Sequence, residues 1–78
     1  MAHFFFHIRD GLDLIEDPDG IDLPDLDTAH AEALAEARDL LAARVKAGMI
    51  VDGQRFEITD ATGIVLASVP LRNALRLA

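Results

Sequence analysis

Three histidines and a run of carboxylates are the residues of this chain whose types and spacing could do chemistry. His3 and His7 fall on one face of an extended segment, about 13 Å apart at about 3.3 Å per residue, too far to share a metal directly. His30 lies apart from them, in a helical stretch, and the sequence has no cysteine to complete a zinc set. The acids of residues 10–27 invite calcium, but an EF-hand loop needs D-x-D-x-D-G. Here Asp17 and Asp19 are followed at once by Gly20, two positions too early. Carboxylate-pair hydrolysis needs two acids held in a pocket, whereas these fall at turns, where water screens them. Ser68 is the only serine and has no G-x-S-x-G context, and no phosphate-binding glycine loop is present. No catalytic, cofactor-binding or metal-ligating residue is therefore expected, and the chain reads as non-catalytic.

The charge is uneven. Residues 1–39 carry a net −9 and residues 40–78 a net +2, which together give −7. An acidic surface repels phosphate backbones, so direct nucleic-acid binding is not expected, while a basic protein partner is. With 78 residues the chain forms one domain, residues 1–78. It shows no signal-peptide pattern and no apolar run near the roughly 20 residues of a membrane helix, so a cytoplasmic protein is expected.

These residues must be positioned by the elements around them, of which the longest is a helix over residues 25–48. Asp25 can cap the free N–H groups of the first turn, and Asp27 sits at the positive end of the helix dipole. Arg44 and Lys46 oppose the negative end, and Gly48 supplies the left-handed conformation that closes a helix. At 100° per residue, Leu26, His30, Ala33, Leu34, Ala37, Leu40, Leu41 and Val45 fall on one stripe, which predicts the buried face. Its middle is small, so the phenylalanines of the first strand are expected against Ala33 and Ala37.

Residues 2–9 alternate with a period of two and read as a strand with Ala2, Phe4, Phe6 and Ile8 facing the core. Residues 12–16 begin a second strand. Two later segments, IEDPDGIDL at 15–23 and ITDATGIVL at 58–66, share the pattern I-x-D-x-x-G-I-x-L. Asp17 and Asp60 suit the first position of a type I turn, and Gly20 and Gly63 the positive φ of the bulge that rejoins two strands. Each segment is thus expected to be a hairpin. In residues 55–59, Phe56 and Ile58 point one way and Arg55, Glu57 and Thr59 the other. The sum is an α+β fold in ββ-α-ββ order: an antiparallel sheet of about four strands on one long helix. A short amphipathic helical segment follows Pro70.

One helix covers one face of such a sheet. The other face would show His3, Phe5 and His7, with Ile64 and Leu66 if Val65 and Ala67 turn inward. A contiguous apolar patch of that kind marks an interaction site, and a homodimer is the commonest solution. Leu71 and Leu75 in the C-terminal segment would reach the partner or fold back as a lid.

Two resemblances add to this reading. The order F-F-H-I-R-D-G, I-E-D-P-D-G-I-D-L-P-D, A-E-A-L-A-E-A-R and I-T-D-A-T-G-I-V-L spans nearly the whole chain. It resembles a family of short bacterial proteins catalogued as a domain of unknown function, which implies no activity and no catalytic residues. Residues 1–48, with L-P-D-L-D-T-A-x-A-E-A-L-A-E-A, are similar to the partial RNase H-like fold of HicB-type antitoxins. The first leaves a small binding or regulatory module acting through protein contacts; the second implies an inhibitor that masks a basic partner.

Overall fold

The computed structural model describes residues 1–48 and 53–74. Five strands and one helix follow in the order β1 (Ala2–Asp10), β2 (Asp13–Ile15), β3 (Ile21–Leu23), α1 (Leu26–Lys46), β4 (Arg55–Thr59) and β5 (Val65–Pro70). A 3₁₀ turn, Leu71–Ala74, ends the described chain. The fold is α+β, one helix on an antiparallel sheet, with five strands in place of about four. No helix among the described residues is long and apolar enough to cross a membrane.

The additional strand comes from an edge that breaks in two. The sheet runs β2-β1-β4-β5, and β3 also pairs with β1. Ile8 lies opposite Ile15, and Phe4 lies opposite Ile21. Alternate residues of a strand direct their backbone groups to the same edge. Phe4, Phe6 and Ile8 therefore meet β3, the intervening loop and β2 in turn, and the Phe6 N–H donates to the Asp17 carboxylate. The first I-x-D-x-x-G segment is thus not the hairpin its pattern predicts. The chain runs along β1, leaves its edge over residues 16–20, and returns in the same direction. The excursion spans five residues of this edge against three of β1, so the register resets by two.

The second segment is the expected hairpin. Asp60 N–H donates to the Ile64 carbonyl and Gly63 N–H to the Asp60 carbonyl, each at 3.1 Å. The register shifts at Ile58/Thr59, so Ile58 pairs with Ala67 while Thr59 pairs with Val65. Ala67 turns inward as expected. Val65 does not, because the bulge sets it beside Thr59 on the other face, where it is 52% exposed.

Helix α1 is capped as its sequence dictates. The Asp25 side chain accepts from the Thr28 N–H at 2.7 Å, and Gly48 takes φ 74° just past the last turn. Its buried row is Ala29, Ala33, Ala37 and Leu41, an i, i+4 line rotated slightly from the predicted stripe. Leu34 and Leu40 flank it, half-buried, whereas His30 is exposed, as are Leu26 and Val45. The three alanines have no side chain to stand off the sheet, so the aromatic rings of β1 and β4 fill the gap. Phe4, Phe6, Phe56, Ile58 and Val69 supply the sheet's part of the core, and Phe6 meets Phe56 with ring centroids 6.1 Å apart.

The C-terminal segment closes on the helix side. Leu71 and Ala74 are buried with the α1 row, and the Leu71 N–H donates to the Gln54 carbonyl. Leu71 is thus a core residue at 1% exposure and presents nothing to a partner. Leu75 lies outside the described residues.

Candidate functional site

The sheet face away from α1 carries three cross-strand rows, fixed by the register of β1, β4 and β5. Phe5, Thr59 and Val65 form one row, His7, Glu57 and Ser68 the next, and Arg9, Arg55 and Pro70 the third. Phe5 and Val65 are the apolar members of the first row. The same register sets Ile64, 61% exposed, opposite Asp60 and so turns it from this face, while Leu66, 40% exposed, is the extra residue at the bulge. His3, Phe5, His7, Ile64 and Leu66 were all expected on this face. Val65 was not: the register shift at Ile58/Thr59, with Leu66 as the extra residue, reverses the alternation there.

The third row is polar. Arg9 and Arg55 both reach Glu57, at 3.4 and 3.3 Å, and the Arg9 contact is the main reason the Glu57 carboxyl sits below the usual range. One end of the open face is therefore apolar and the other is a charged ladder.

Both histidines of β1 turn toward the edge excursion. The Asp17 N–H donates to His7 Nδ1 at 3.0 Å, so that nitrogen carries a lone pair, and Nε2 holds the proton and donates to Thr59 Oγ1 at 3.2 Å. His3 has the opposite surroundings. Its Nδ1 lies 2.6 Å from an Asp22 carboxylate oxygen and its Nε2 lies 2.8 Å from the Asp19 carbonyl oxygen. Both partners only accept, so these contacts favour the form in which both ring nitrogens are donors. The Asp22 hydrogen bond, aided by the Asp19 carbonyl, holds its pKa above the ordinary histidine value. Phe5 packs between the two rings, edge-on to His3 at 4.9 Å and stacked on His7 at 6.0 Å.

Asp17 closes the excursion from within. Its Oδ1 accepts from the Asp19 and Gly20 N–H groups and its Oδ2 from the Phe6 N–H. Partial burial pushes its pKa up, but these three donors outweigh that and leave it lowered. Gly20 takes φ 68°, and a Cβ there would lie 2.5 Å from His3 Nε2 and 2.7 Å from the Phe4 carbonyl oxygen. Asp17 and Asp60 each accept the N–H two residues on, and Gly20 and Gly63 both take positive φ, but only the second pair lies in a hairpin.

The helix side of the same excursion borders a groove of about 580 Å³. Its floor is apolar, with Ile8 of β1, Ile15 of β2, Leu40 of α1 and Phe56 of β4. Its rim holds five carboxylates, Glu16, Asp17, Asp19, Glu36 and Asp39, and among the described residues no cationic side chain lines it. The groove escaped the sequence because four separate stretches of chain build it and no local pattern joins them.

In the middle row Glu57 stands between His7 and Ser68, and both His7 nitrogens are already engaged. Among the described residues no group of three or more histidine, cysteine or acidic side chains is placed to hold a metal ion.

Fold and site together define a small α+β domain with a histidine-clasped edge loop and one sheet face turned away from α1. The chain belongs to the family described as Domain of unknown function (DUF6894), whose match spans residues 3–72. No curated protein and no solved structure matches it.

Proposed function

We propose that the chain is a non-catalytic binding module that works through protein contacts and pairs with a second copy across its open sheet face. The observation that carries this is the apolar end of that face. Phe5 and Val65 flank Thr59 in one row, and Val65 is 52% exposed, with Leu66 next to it in the chain 40% exposed. An antiparallel sheet can leave one face to water, but such a face is ordinarily polar along its length. Exposed apolar side chains gathered at one end suit a two-fold contact instead. At −7 per chain like charges oppose pairing, so association strengthens modestly with salt.

Light scattering across a dilution series at moderate salt tests it. The expected mass is twice 8.5 kDa at high micromolar protein, returning to 8.5 kDa on dilution or in a Val65→Glu variant. A mass near 8.5 kDa throughout contradicts the proposal.

A second reading is an inhibitor that masks a basic partner, as the likeness of residues 1–48 to HicB-type antitoxins implies. The five carboxylates around the groove favour it. Capture of one basic partner that is released at high salt is its expected outcome.

A further inference from the structure

The groove between the broken edge and α1 combines two properties that select an occupant. Its floor is apolar: Ile15 is 54% exposed although it stands on the core side of the sheet, because α1 leaves β2 uncovered. Its rim is charged with one sign only. The ion pairs among the described residues are His3–Asp22, Arg9–Glu57 and Arg55–Glu57, so none of the five rim carboxylates is paired with a described cationic side chain. Glu36 shows the consequence, since desolvation and then repulsion from Glu32, Asp17 and Asp39 push its pKa up. A cation brought alongside would relieve that repulsion, and an apolar side chain would cover Ile15 and Leu40.

We infer that this groove docks a short segment of another protein in which apolar side chains stand beside lysine or arginine. The volume, about 580 Å³, falls in the range of sites that enclose a compact ligand, enough for a few side chains but not a folded surface. A nucleic acid is excluded by sign, since its phosphates would meet only carboxylates. A small inorganic cation would satisfy the rim but leave the apolar floor in water. The segment chosen meets both at once, with its apolar side chain over Ile8, Ile15 and Leu40 and its basic group between Glu36 and Asp39. This inference rests on the reading of the chain as a protein-binding module, but uses the side of the sheet opposite the self-association face.

Fluorescence anisotropy of the full chain with a labelled peptide of alternating leucine and lysine tests it. Saturable binding is expected, weakened about tenfold, or about 1.4 kcal/mol, when Glu36→Gln and Asp39→Asn are combined. Ile15→Ser should weaken it as well, and Glu32→Gln, outside the groove, should not. All of these positions are exposed, so each variant should fold, and unfolding midpoints check that. Absence of saturation overturns the inference. So does equal binding of an all-lysine peptide, or unchanged affinity in the double variant. If the double variant instead abolishes self-association without any peptide, the occupant is a second copy and the inference also fails. Failure of the open-face pairing has a different signature: a chain that scatters as a monomer yet binds the peptide.

Discussion

The backbone N–H of Asp17 donates to His7 Nδ1 at 3.0 Å, while the Asp17 carboxylate accepts the backbone N–H of Phe6, the neighbour of His7, at 3.1 Å. These reciprocal bonds hold the excursion of residues 16–20 to the middle of β1, where no strand pairing does so. The same loop therefore borders both surfaces of interest. Its histidine contacts lie on the open face, and its carboxylates line the groove on the other.

Asp17 and Asp60 occupy the same place in the repeated pattern, yet their amide variants should behave differently. Asp17 uses both carboxylate oxygens, Oδ1 for Asp19 and Gly20 and Oδ2 for Phe6. Asparagine would set an NH₂ group against one of those N–H donors, and losing a charge-assisted bond of this kind costs about 2 kcal/mol. Asp60 uses Oδ1 alone for Thr62 and Ile64, so an asparagine carbonyl can replace it. Urea titration should show Asp17→Asn clearly destabilised and Asp60→Asn close to the parent.

The glycines of the two segments should also separate. Alanine at Gly63 meets no heavy atom within 4 Å, so the cost is that of a positive φ, about 1 kcal/mol. Alanine at Gly20 pays that cost and also collides with His3 and the Phe4 backbone. A larger loss of stability for Gly20→Ala than for Gly63→Ala is expected, together with loss of the His3–Asp22 contact in NMR spectra. Equal losses would contradict the close packing of the excursion on β1.

Much of this was legible in the sequence, and what was missed has specific causes. The helix caps, the strand face of Phe4 and Phe6, and the Phe56–Ile58 side of β4 follow from local periodicity and end chemistry. The break in the edge strand does not. Asp17 and Gly20 make the same turn-like bonds as Asp60 and Gly63, and nothing local to the turn says which strand the chain joins next. That depends on β1 being nine residues long, enough to take two partners of three residues each along one edge. The helix face was rotated for a related reason. Alanines occur on both sides of α1, so they do not separate Ala29, which is buried, from Ala31, which is exposed. The open face was read apart from Val65 because a bulge reverses alternation.

His3 gives the stability a pH dependence of definite sign. Its pKa is raised in the folded chain, so its contacts with Asp22 and Asp19 stabilise fully below the ordinary histidine value. That contribution is lost as pH rises through the raised value. Asp17 acts in the other direction: its lowered pKa stabilises above the ordinary carboxylate value and is lost as pH falls through the folded one. Urea midpoints of the parent and His3→Gln should therefore differ most between about pH 5 and the ordinary histidine value, and converge toward about pH 9. Ring ¹⁵N shifts should show both nitrogens of His3 protonated at the acidic end. A constant difference across that window would remove the charged clasp.

The central claim, that the sheet face turned away from α1 is a protein-contact surface, is tested most directly by backbone amide NMR spectra recorded as the protein is diluted. Self-association through this face predicts concentration-dependent shifts at Phe5, His7, Thr59, Val65 and Leu66, with Ile21, Leu40 and Asp39 unchanged. Spectra that stay identical from high to low concentration, or shifts confined to the groove residues, would contradict it.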